Sequence, residues 1–149
     1  MWKLVQDCGI LDVNSTYAYL LLCKDFAETC GVAEFKGEVV GLVTGYHPPK
    51  KTNTLFVWQI GVADSMRRSG IAKRLLLEVL QRESCRDVSF LETTIWPSNL
   101  ASRALFESLA RELNAGVAEG ICFEQTLFPQ SDREPEYLFR IGPFSVSQL

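Results

Sequence analysis

The sequence predicts an α/β fold with a mixed central sheet and helices on both of its faces. Three consecutive segments carry this prediction. Residues 55–62 and 88–95 are apolar runs of strand length, and residues 71–82 have the apolar spacing of an amphipathic helix. A strand, a crossover helix and a second strand form a parallel pair with a right-handed connection. These segments therefore predict the centre of the sheet.

The length of 149 residues, with 47% hydrophobic and 22% charged residues, predicts one globular domain over residues 1–149. No apolar stretch approaches the roughly 20 residues that cross a bilayer, and no secretory signal pattern opens the sequence. We therefore expect a cytoplasmic protein without a membrane partner. The formal net charge of -3 and the lack of an extended basic stripe disfavour nucleic-acid binding.

The cysteine and histidine content argues against several kinds of site. The five cysteines are an odd number and contain no C-x-x-C pair, which favours reduced and mostly buried thiols. The single histidine, His47, precedes two prolines in a predicted surface loop. We therefore expect neither a metal site nor a catalytic triad.

Two helices are predicted before the first strand, at residues 1–8 and 14–26. Asn14 or Ser15 can cap the second of them. We expect that helix to pack through an apolar face that contains Tyr17, Leu20 and Leu21.

The remaining predicted elements are mostly strands. They lie at residues 32–35, 39–46, 120–127 and 136–141, and a helix capped by Ser98 or Asn99 extends to about Leu113. Residues 32–46 predict a hairpin with a short Gly-containing turn. Gly61 suggests a bulge within the strand at residues 55–62. The last two strands are separated by a polar segment at residues 129–135.

A turn rich in arginine connects the strand at residues 55–62 to the following helix and predicts an anion site. Backbone N–H groups in such a turn and in the first helical turn have no partner inside the helix, and the helix dipole favours negative charge there. Gly70 allows a pyrophosphate to approach the backbone. The cationic side chains around the turn are Arg67, Arg68, Lys73 and Arg74. Taken alone, the segment is better explained as a capped surface helix that has a solvated basic face, and only its context favours an anion site.

The turn has the R-x-x-G-x-A form of the Q/R-x-x-G-x-G/A signature and resembles the acyl-CoA site of the GNAT N-acetyltransferases. The order of predicted elements is similar to that family through most of the chain. The resemblance implies a GNAT fold, with the sheet splayed between the strands at residues 55–62 and 88–95, and acetyl-CoA as cosubstrate. The implied cofactor-binding residues are Ile60, Gly61, Val62, Arg67, Arg68, Ser69, Gly70, Ile71, Ala72, Lys73, Asn99, Ser102, Arg103 and Phe106.

Three of these positions have a more specific implied role. The backbone groups of Ile60 and Val62 would hydrogen-bond the pantetheine arm, and Asn99 would contact the same arm or simply cap its helix. Phe106 departs from the family, because many relatives have a Tyr there that protonates the departing thiolate. Since an ordinary thiol pKa is about 8.5, that acid is helpful but dispensable.

A closer resemblance, over about residues 4–144, is to the L-2,4-diaminobutyrate acetyltransferases of ectoine biosynthesis. It is carried by LDVNSTYAYLLLC at 11–23, FVWQ at 56–59, LETTI at 91–95 and RIGP at 140–143. The resemblance implies acetylation of the 4-amino group of L-2,4-diaminobutyrate, a homodimer, and a place in compatible-solute synthesis during osmoadaptation. Members usually have a strand before the first helix. This sequence begins at that helix, so either the chain is shortened or the strand is dispensable.

The substrate implied by this resemblance carries two ammonium groups and one carboxylate, so it needs acidic partners. Only a neutral amine attacks a thioester, and removing its proton at pH 7 costs roughly 4 kcal/mol, so a base is also expected. The candidate catalytic residues are Glu136, Asp12 and Tyr17, and the candidate substrate-binding residues are these three with Trp58 and Gln59.

Two further positions leave questions open. Glu92 is either a reserve base or a solvent-facing residue of its strand. Arg133 stands where relatives often have a His, three residues before the acidic Glu136.

Three alternative functions remain open on the sequence alone. An acetyltransferase for another small amine would share the acyl-CoA site. A non-catalytic acyl-CoA-binding module is favoured by Phe106 and by the missing first strand. Nucleic-acid binding through residues 67–74 would give a steep dependence of affinity on salt.

Overall fold

The computed structural model describes residues 1–9, 11–129 and 133–148. Residues 130–132 of the predicted polar segment therefore lie outside the described residues. The strands are β1 (Gly31–Phe35), β2 (Glu38–Tyr46), β3 (Thr54–Val62), β4 (Phe90–Ile95), β5 (Val117–Phe123) and β6 (Glu136–Ile141). The α-helices are α1 (Trp2–Cys8), α2 (Thr16–Asp25), α3 (Ile71–Leu80) and α4 (Leu100–Glu112). Short 3₁₀ turns lie between several of these elements.

The strands form one mixed sheet in the order β1-β2-β3-β4-β6-β5. β3 and β4 pair in parallel, while the other neighbouring strands pair antiparallel. The parallel pair is connected through α3, as the sequence predicts. Within the described residues the sheet therefore has the predicted mixed architecture around one β-α-β unit.

Helices cover both faces of the sheet, as successive residues of β2 show. Val43 belongs to the larger core, which contains the apolar side chains of α3 and α4. Leu42 belongs to a second core, which contains those of α1 and α2. Successive strand residues point to opposite faces, so α1 and α2 lie on one side of the sheet and α3 and α4 on the other.

The sheet opens between its two central strands. β3 and β4 pair only from Thr54 to Phe56 on one side and from Phe90 to Glu92 on the other. Beyond those three pairs β3 remains paired with β2, and β4 remains paired with β6. The result is a gap between the carboxyl ends of β3 and β4, which confirms the predicted splay.

The bulge in β3 lies at Trp58, whereas the sequence suggested Gly61. Gln59 pairs with Thr44 and Val57 pairs with Gly45, so Trp58 is the extra residue. Gly61 has a packing role, because a Cβ there would lie 2.9 Å from the Leu11 side chain.

The buried face of α2 also differs from the prediction. Tyr19 and Leu22 are the buried residues of this helix, whereas Tyr17, Leu20 and Leu21 are exposed. The run of apolar residues in α2 is almost unbroken, and such a run does not indicate which side of a helix faces the core. Ser15 caps the helix by accepting a hydrogen bond from the Ala18 N–H at 3.2 Å.

Several predicted boundaries also shift. The helix predicted at residues 71–82 ends at Leu80, and the strand predicted at residues 88–95 begins at Phe90. The strand predicted at residues 120–127 occupies Val117–Phe123, and a 3₁₀ turn follows it at Gln125–Leu127. All residues of β5 are exposed, so its sequence lacks the alternation of apolar and polar residues that marks the ends of a half-buried strand.

Gly45 provides a test of how tightly the sheet is packed beside the bulge. A Cβ at this position would lie 2.7 Å from the Phe56 carbonyl oxygen and 3.2 Å from that of Thr29. Both atoms belong to the backbone and yield little, so we expect Gly45→Ala to lower the free energy of unfolding by about 1–3 kcal/mol. Urea unfolding measures this change. Gly120→Ala is the matched control, since open space surrounds that position. An equal stability for both variants would contradict the packing argument.

Candidate active site

Gln59 connects the sheet to the segment between α1 and α2 on one side of the gap. Its side chain is 4% exposed. Its Nε2 donates to the Asp12 carbonyl oxygen at 2.7 Å, and its Oε1 accepts from the Tyr19 hydroxyl at 3.0 Å. Its backbone N–H donates to the Thr44 hydroxyl at 3.1 Å. Gln59 therefore fixes the position of Asp12 relative to β3.

Two carboxylates meet at the mouth of the gap. Glu136 lies at the start of β6 and Asp12 lies before α2, and Arg133 connects them. The Arg133 Nη2 is 2.6 Å from Asp12 Oδ2 and 3.5 Å from Glu136 Oε1. The hydrogen bond to Asp12 raises the pKa of the Arg133 guanidinium above its usual value. The structure thus brings together three residues that the sequence assigned to the site: Asp12, Gln59 and Glu136.

Glu136 has an unsatisfied oxygen. The residue is 6% exposed, and its Oε2 is buried without a hydrogen-bond partner among the described residues. Leaving a buried acceptor unpaired costs about 1–3 kcal/mol, and more if it is charged. Such atoms are rare in native proteins, and a catalytic role or a bound water or ion is among the usual reasons for them. A ligand that presents an N–H group or an ammonium at this oxygen would recover that free energy.

The other two substrate candidates lie farther out. Tyr17 is 67% exposed on α2, and Trp58 is 45% exposed at the bulge of β3. Neither makes a hydrogen bond to Asp12, Gln59 or Glu136 in the described part of the chain. Their roles remain predictions.

Glu92 does not face solvent and is not free to act as a base. It is buried on β4, and Lys51 Nζ lies 2.8 and 2.9 Å from its two oxygens. The Arg140 guanidinium also pairs with its Oε1 and stacks on the ring of Phe90 at 3.8 Å. These contacts make Glu92 the centre of a structural ion cluster at the point where β3 and β4 separate.

The turn before α3 has the backbone shape that an anion site requires. Arg68 and Gly70 have φ angles of 62° and 80°, in the left-handed region that favours glycine. The helix makes its first backbone hydrogen bond from the Arg74 N–H to the Gly70 carbonyl. The N–H groups of residues 71–73 consequently have no partner within the helix. These donors and the positive end of the helix dipole fit the pyrophosphate of an acyl-CoA.

Several side chains of the turn are held by neighbours. Arg67 pairs with Asp64 at 2.7 Å, and Lys73 pairs with Glu112 of α4 at 2.5 Å. The Ser69 hydroxyl donates to the Met66 carbonyl. The Arg67 pair lies within the turn itself, whereas the Lys73 pair ties α3 to α4. The backbone donors are thus the better-supported part of this site.

The backbone of β3 beyond the bulge offers hydrogen-bonding groups to the gap. The N–H groups of Gln59 and Ala63 both donate toward β2, to the Thr44 hydroxyl and to the Val40 carbonyl. Because hydrogen-bonding directions alternate along a strand, the groups of residues 60 and 62 point away from β2 and into the gap. The Val62 carbonyl accepts one weak bond from the Cys8 thiol at 3.6 Å. These positions agree with the pantetheine contacts that the resemblance implies.

The start of α4 forms the other wall of the gap. Asn99 caps the helix, with its side chain accepting from the Ser102 N–H at 3.1 Å. Arg103 pairs with Glu119 of β5 at 2.6 and 2.8 Å, and this bond lowers the pKa of the Glu119 carboxyl. Phe106 is buried, and its ring lies 6.3 Å from that of Phe139. Phe106 therefore belongs to the core on this side of the sheet.

Sequence reasoning missed the roles of Tyr19 and Arg133. Tyr19 lies two residues after the predicted candidate Tyr17 in the same apolar run. The two residues differ only in which side of the helix they occupy, and the sequence does not reveal that. Arg133 joins the site through contact with Asp12, 121 positions away. The one available signal was its position three residues before Glu136.

Within the described residues, every helix is too short or too polar to cross a membrane. In the same part of the chain, no group of three or more His, Cys, Asp or Glu residues is arranged to hold a metal ion. All five cysteines are free thiols, with Cys23 and Cys122 exposed.

Comparisons with known proteins show similarity to acetyltransferases over most of the chain. The model of the acetyltransferase (GNAT) family matches residues 1–110. The chain is 50% identical over 145 residues to the L-2,4-diaminobutyric acid acetyltransferase of Marinococcus halophilus, covering 97% of this chain and 84% of that protein. It is 48% identical over 143 residues to the enzyme of the same name from Halalkalibacterium halodurans, covering 96% and 75%.

Solved structures show the same similarity. The diaminobutyrate acetyltransferase EctA of Paenibacillus lautus, in complex with L-2,4-diaminobutyric acid and coenzyme A, superposes with a TM-score of 0.93 at 44% identity. The superposition covers 96% of this chain and 87% of that one. Ard1 of Thermoplasma volcanium superposes with a TM-score of 0.71 at 16% identity, which shows a shared fold.

Tyr19→Phe tests the role of the Tyr19–Gln59 hydrogen bond. The substitution leaves the buried Gln59 Oε1 without its donor, so we expect the free energy of unfolding to fall by about 1–3 kcal/mol. Chemical denaturation measures the change. Tyr17→Phe removes the same atom from an exposed residue of the same helix and should leave stability unchanged. If the two variants lost stability equally, Gln59 would not depend on this bond.

Proposed function

The chain belongs to the GNAT acetyltransferase family, and on that premise we propose that it transfers the acetyl group of acetyl-CoA to the 4-amino group of L-2,4-diaminobutyrate. The product is N4-acetyl-L-2,4-diaminobutyrate. The observation that carries the proposal is the buried Glu136 oxygen at the mouth of the gap, which has no hydrogen-bond partner among the described residues and whose carboxylate is connected to Asp12 through Arg133. The names of relatives at 48–50% identity and the substrate in the Paenibacillus structure support it.

Acetyl-CoA is proposed to lie in the gap between β3 and β4. Its pyrophosphate would take the free N–H groups at the start of α3, with Arg67, Arg68, Ser69 and Lys73 around it. Its pantetheine arm would take the backbone groups of residues 60–62. The wall at the start of α4 would contribute the remaining contacts, from Asn99, Ser102 and Arg103, whereas the buried Phe106 packs in the core and is corrected from a cofactor contact to a core residue.

The proposed reaction is direct attack of the substrate nitrogen on the thioester carbonyl. Glu136 and Asp12 would attract the ammonium groups, and Glu136 would accept the proton that must leave before attack, directly or through a water. A C–N bond forms, the C–S bond breaks and the thiolate leaves, while the attacking nitrogen gives its second proton to solvent. Phe106 has no proton to give. Releasing a thiolate at pH 7 costs only about 2 kcal/mol, so solvent can protonate it afterwards.

Three further residues are proposed to shape the substrate pocket. Gln59 would hold the Asp12 segment in place through its bond to the Asp12 carbonyl. Trp58 would form a wall of the pocket, because the bulge directs it out of the regular strand. Tyr17 would contribute a substrate contact from the exposed side of α2 once the substrate is bound.

The wider biological setting is also a proposal. We infer that residues 1–149 form one acetyltransferase domain and that it acts in the cytoplasm, where its five free thiols stay reduced. The product would enter ectoine synthesis, a route to a compatible solute used in osmoadaptation. A homodimer is supported by exposed apolar side chains on α2, Tyr17 and Leu20 among them, since such clusters commonly mark protein interfaces.

The function is tested by thiol release from acetyl-CoA with L-2,4-diaminobutyrate, followed by product NMR to locate the new amide. We expect acetylation at the 4-amino nitrogen. Glu136→Gln and Asp12→Asn should each lower kcat/KM for the amine by about ten- to hundredfold, because each removes a charged partner worth about 1.5–3 kcal/mol. Coenzyme A affinity, measured by calorimetry, should change little. Unchanged turnover in both variants would remove these residues from the site.

Arg67→Ala tests the pyrophosphate site. Losing a charge-assisted hydrogen bond should raise the acetyl-CoA KM about tenfold or more while leaving the amine KM nearly constant. The matched control is Arg86→Ala, because Arg86 is likewise paired with an acidic residue three positions away, at 2.6 Å from Glu83, but lies outside the site. Unchanged cofactor kinetics in Arg67→Ala would argue against Arg67 as a phosphate ligand.

A further inference from the structure

Arg133 is a cation placed between two carboxylates that the proposed function assigns to substrate ammonium groups. One nitrogen, Nη2, makes both contacts, to Asp12 and to Glu136. The Nε and Nη1 atoms make no hydrogen bond or ion pair with the described residues. The guanidinium also lies 4.6 Å from the centre of the Phe128 ring. Part of its planar donor fork therefore has no partner within residues 1–9, 11–129 and 133–148.

The backbone on the C-terminal side of Arg133 is fixed at two points. Glu134 accepts from the Ser98 N–H at 3.0 Å and from the Ser98 hydroxyl, which ties the segment to the start of α4. Glu136 begins β6 and pairs with Phe123. Arg133 is thus anchored between the wall of the gap and the sheet, and its guanidinium is held where the substrate must enter.

We propose that Arg133 binds the carboxylate of the substrate, so that the site opposes each of the three substrate charges with one of its own. This inference rests on the proposed function, in which the substrate has two ammonium groups and a carboxylate. A guanidinium presents parallel N–H donors that match a carboxylate, and the cation–π contact with Phe128 helps to hold it in place. Asp12 and Glu136 lack any donor for that carboxylate when they are ionised.

The charge balance of the site supports this role. Asp12, Arg133 and Glu136 together carry one net negative charge, and the dicationic amino acid carries one net positive charge. The substrate ammonium groups can replace the Arg133 contacts to Asp12 and Glu136, and the substrate carboxylate then pairs with the released guanidinium. A diamine without a carboxylate would also displace Arg133 from Asp12 and Glu136. It would offer the guanidinium no new partner in return.

This difference makes Arg133 a specificity-determining residue. The informative competitor is 1,3-diaminopropane, which keeps both amines of L-2,4-diaminobutyrate and their spacing but lacks the carboxylate. The wild-type protein should prefer the amino acid because only that ligand satisfies the guanidinium.

The experiment measures the affinity of both ligands by calorimetry on the coenzyme A complex, which cannot turn over. Arg133→Gln should weaken L-2,4-diaminobutyrate about ten- to hundredfold and change 1,3-diaminopropane by less than about threefold. Arg133→Lys keeps the charge without the fork and should recover part of the affinity. The control is Arg86→Gln, which removes an arginine that also contacts two carboxylates, Glu83 and Asp87, away from the site.

Several results would overturn the proposal. Equal weakening of both ligands in Arg133→Gln would make Arg133 a structural brace for the two carboxylates. Equally tighter binding of both ligands to Arg133→Gln would show that Arg133 competes with any amine for the two carboxylates. Failure of the wild-type protein to prefer diaminobutyrate would also overturn it, and this needs no variant. The proposed function fails separately, if product NMR detects no acetylated amine whatever these affinities are.

Discussion

The short parallel pairing of β3 and β4 is the constraint on which the rest of the molecule depends. Each strand has another partner, so after Phe56 and Glu92 the two can diverge without leaving the sheet. The buried cluster of Glu92, Lys51 and Arg140 lies at the point of divergence. A buried carboxylate is tolerated there because two cations and their hydrogen bonds compensate for its desolvation. The gap beyond this point leaves backbone groups of β3 open to a ligand.

The two halves of the candidate site lie on opposite sides of that gap. Gln59 and Tyr19 hold Asp12 on the β3 side, while β6 carries Glu136 on the β4 side. The Arg133 contacts are the bridge between the halves. The proposed substrate recognition therefore uses two separately supported carboxylates, and the relative position of β3 and β4 sets the space between them.

The sequence predicted those parts of the structure that depend on local chemistry. The glycine at position 70 and the free amides after it follow from turn and helix geometry, and the parallel pair follows from strand and helix periodicity. The prediction of which side of α2 is buried was wrong because Tyr17 and Tyr19 lie in one unbroken apolar run. The bulge was placed at Gly61 because glycine often marks such a kink, but the cross-strand register puts it at Trp58. The bridge from Arg133 to Asp12 depends on tertiary packing, which no local pattern encodes.

The unequal burial of the two carboxylates has a consequence for how the proposed site depends on ionic strength. Mobile counterions weaken attraction to exposed charges over a Debye length of about 8 Å at 0.15 M ionic strength, and they weaken attraction to buried charges much less. Asp12 is open to such ions, whereas Glu136 is shielded by protein. As ionic strength rises, the contribution proposed for Asp12 to ammonium binding should decline first. The attraction proposed for Glu136 should persist at high salt concentration.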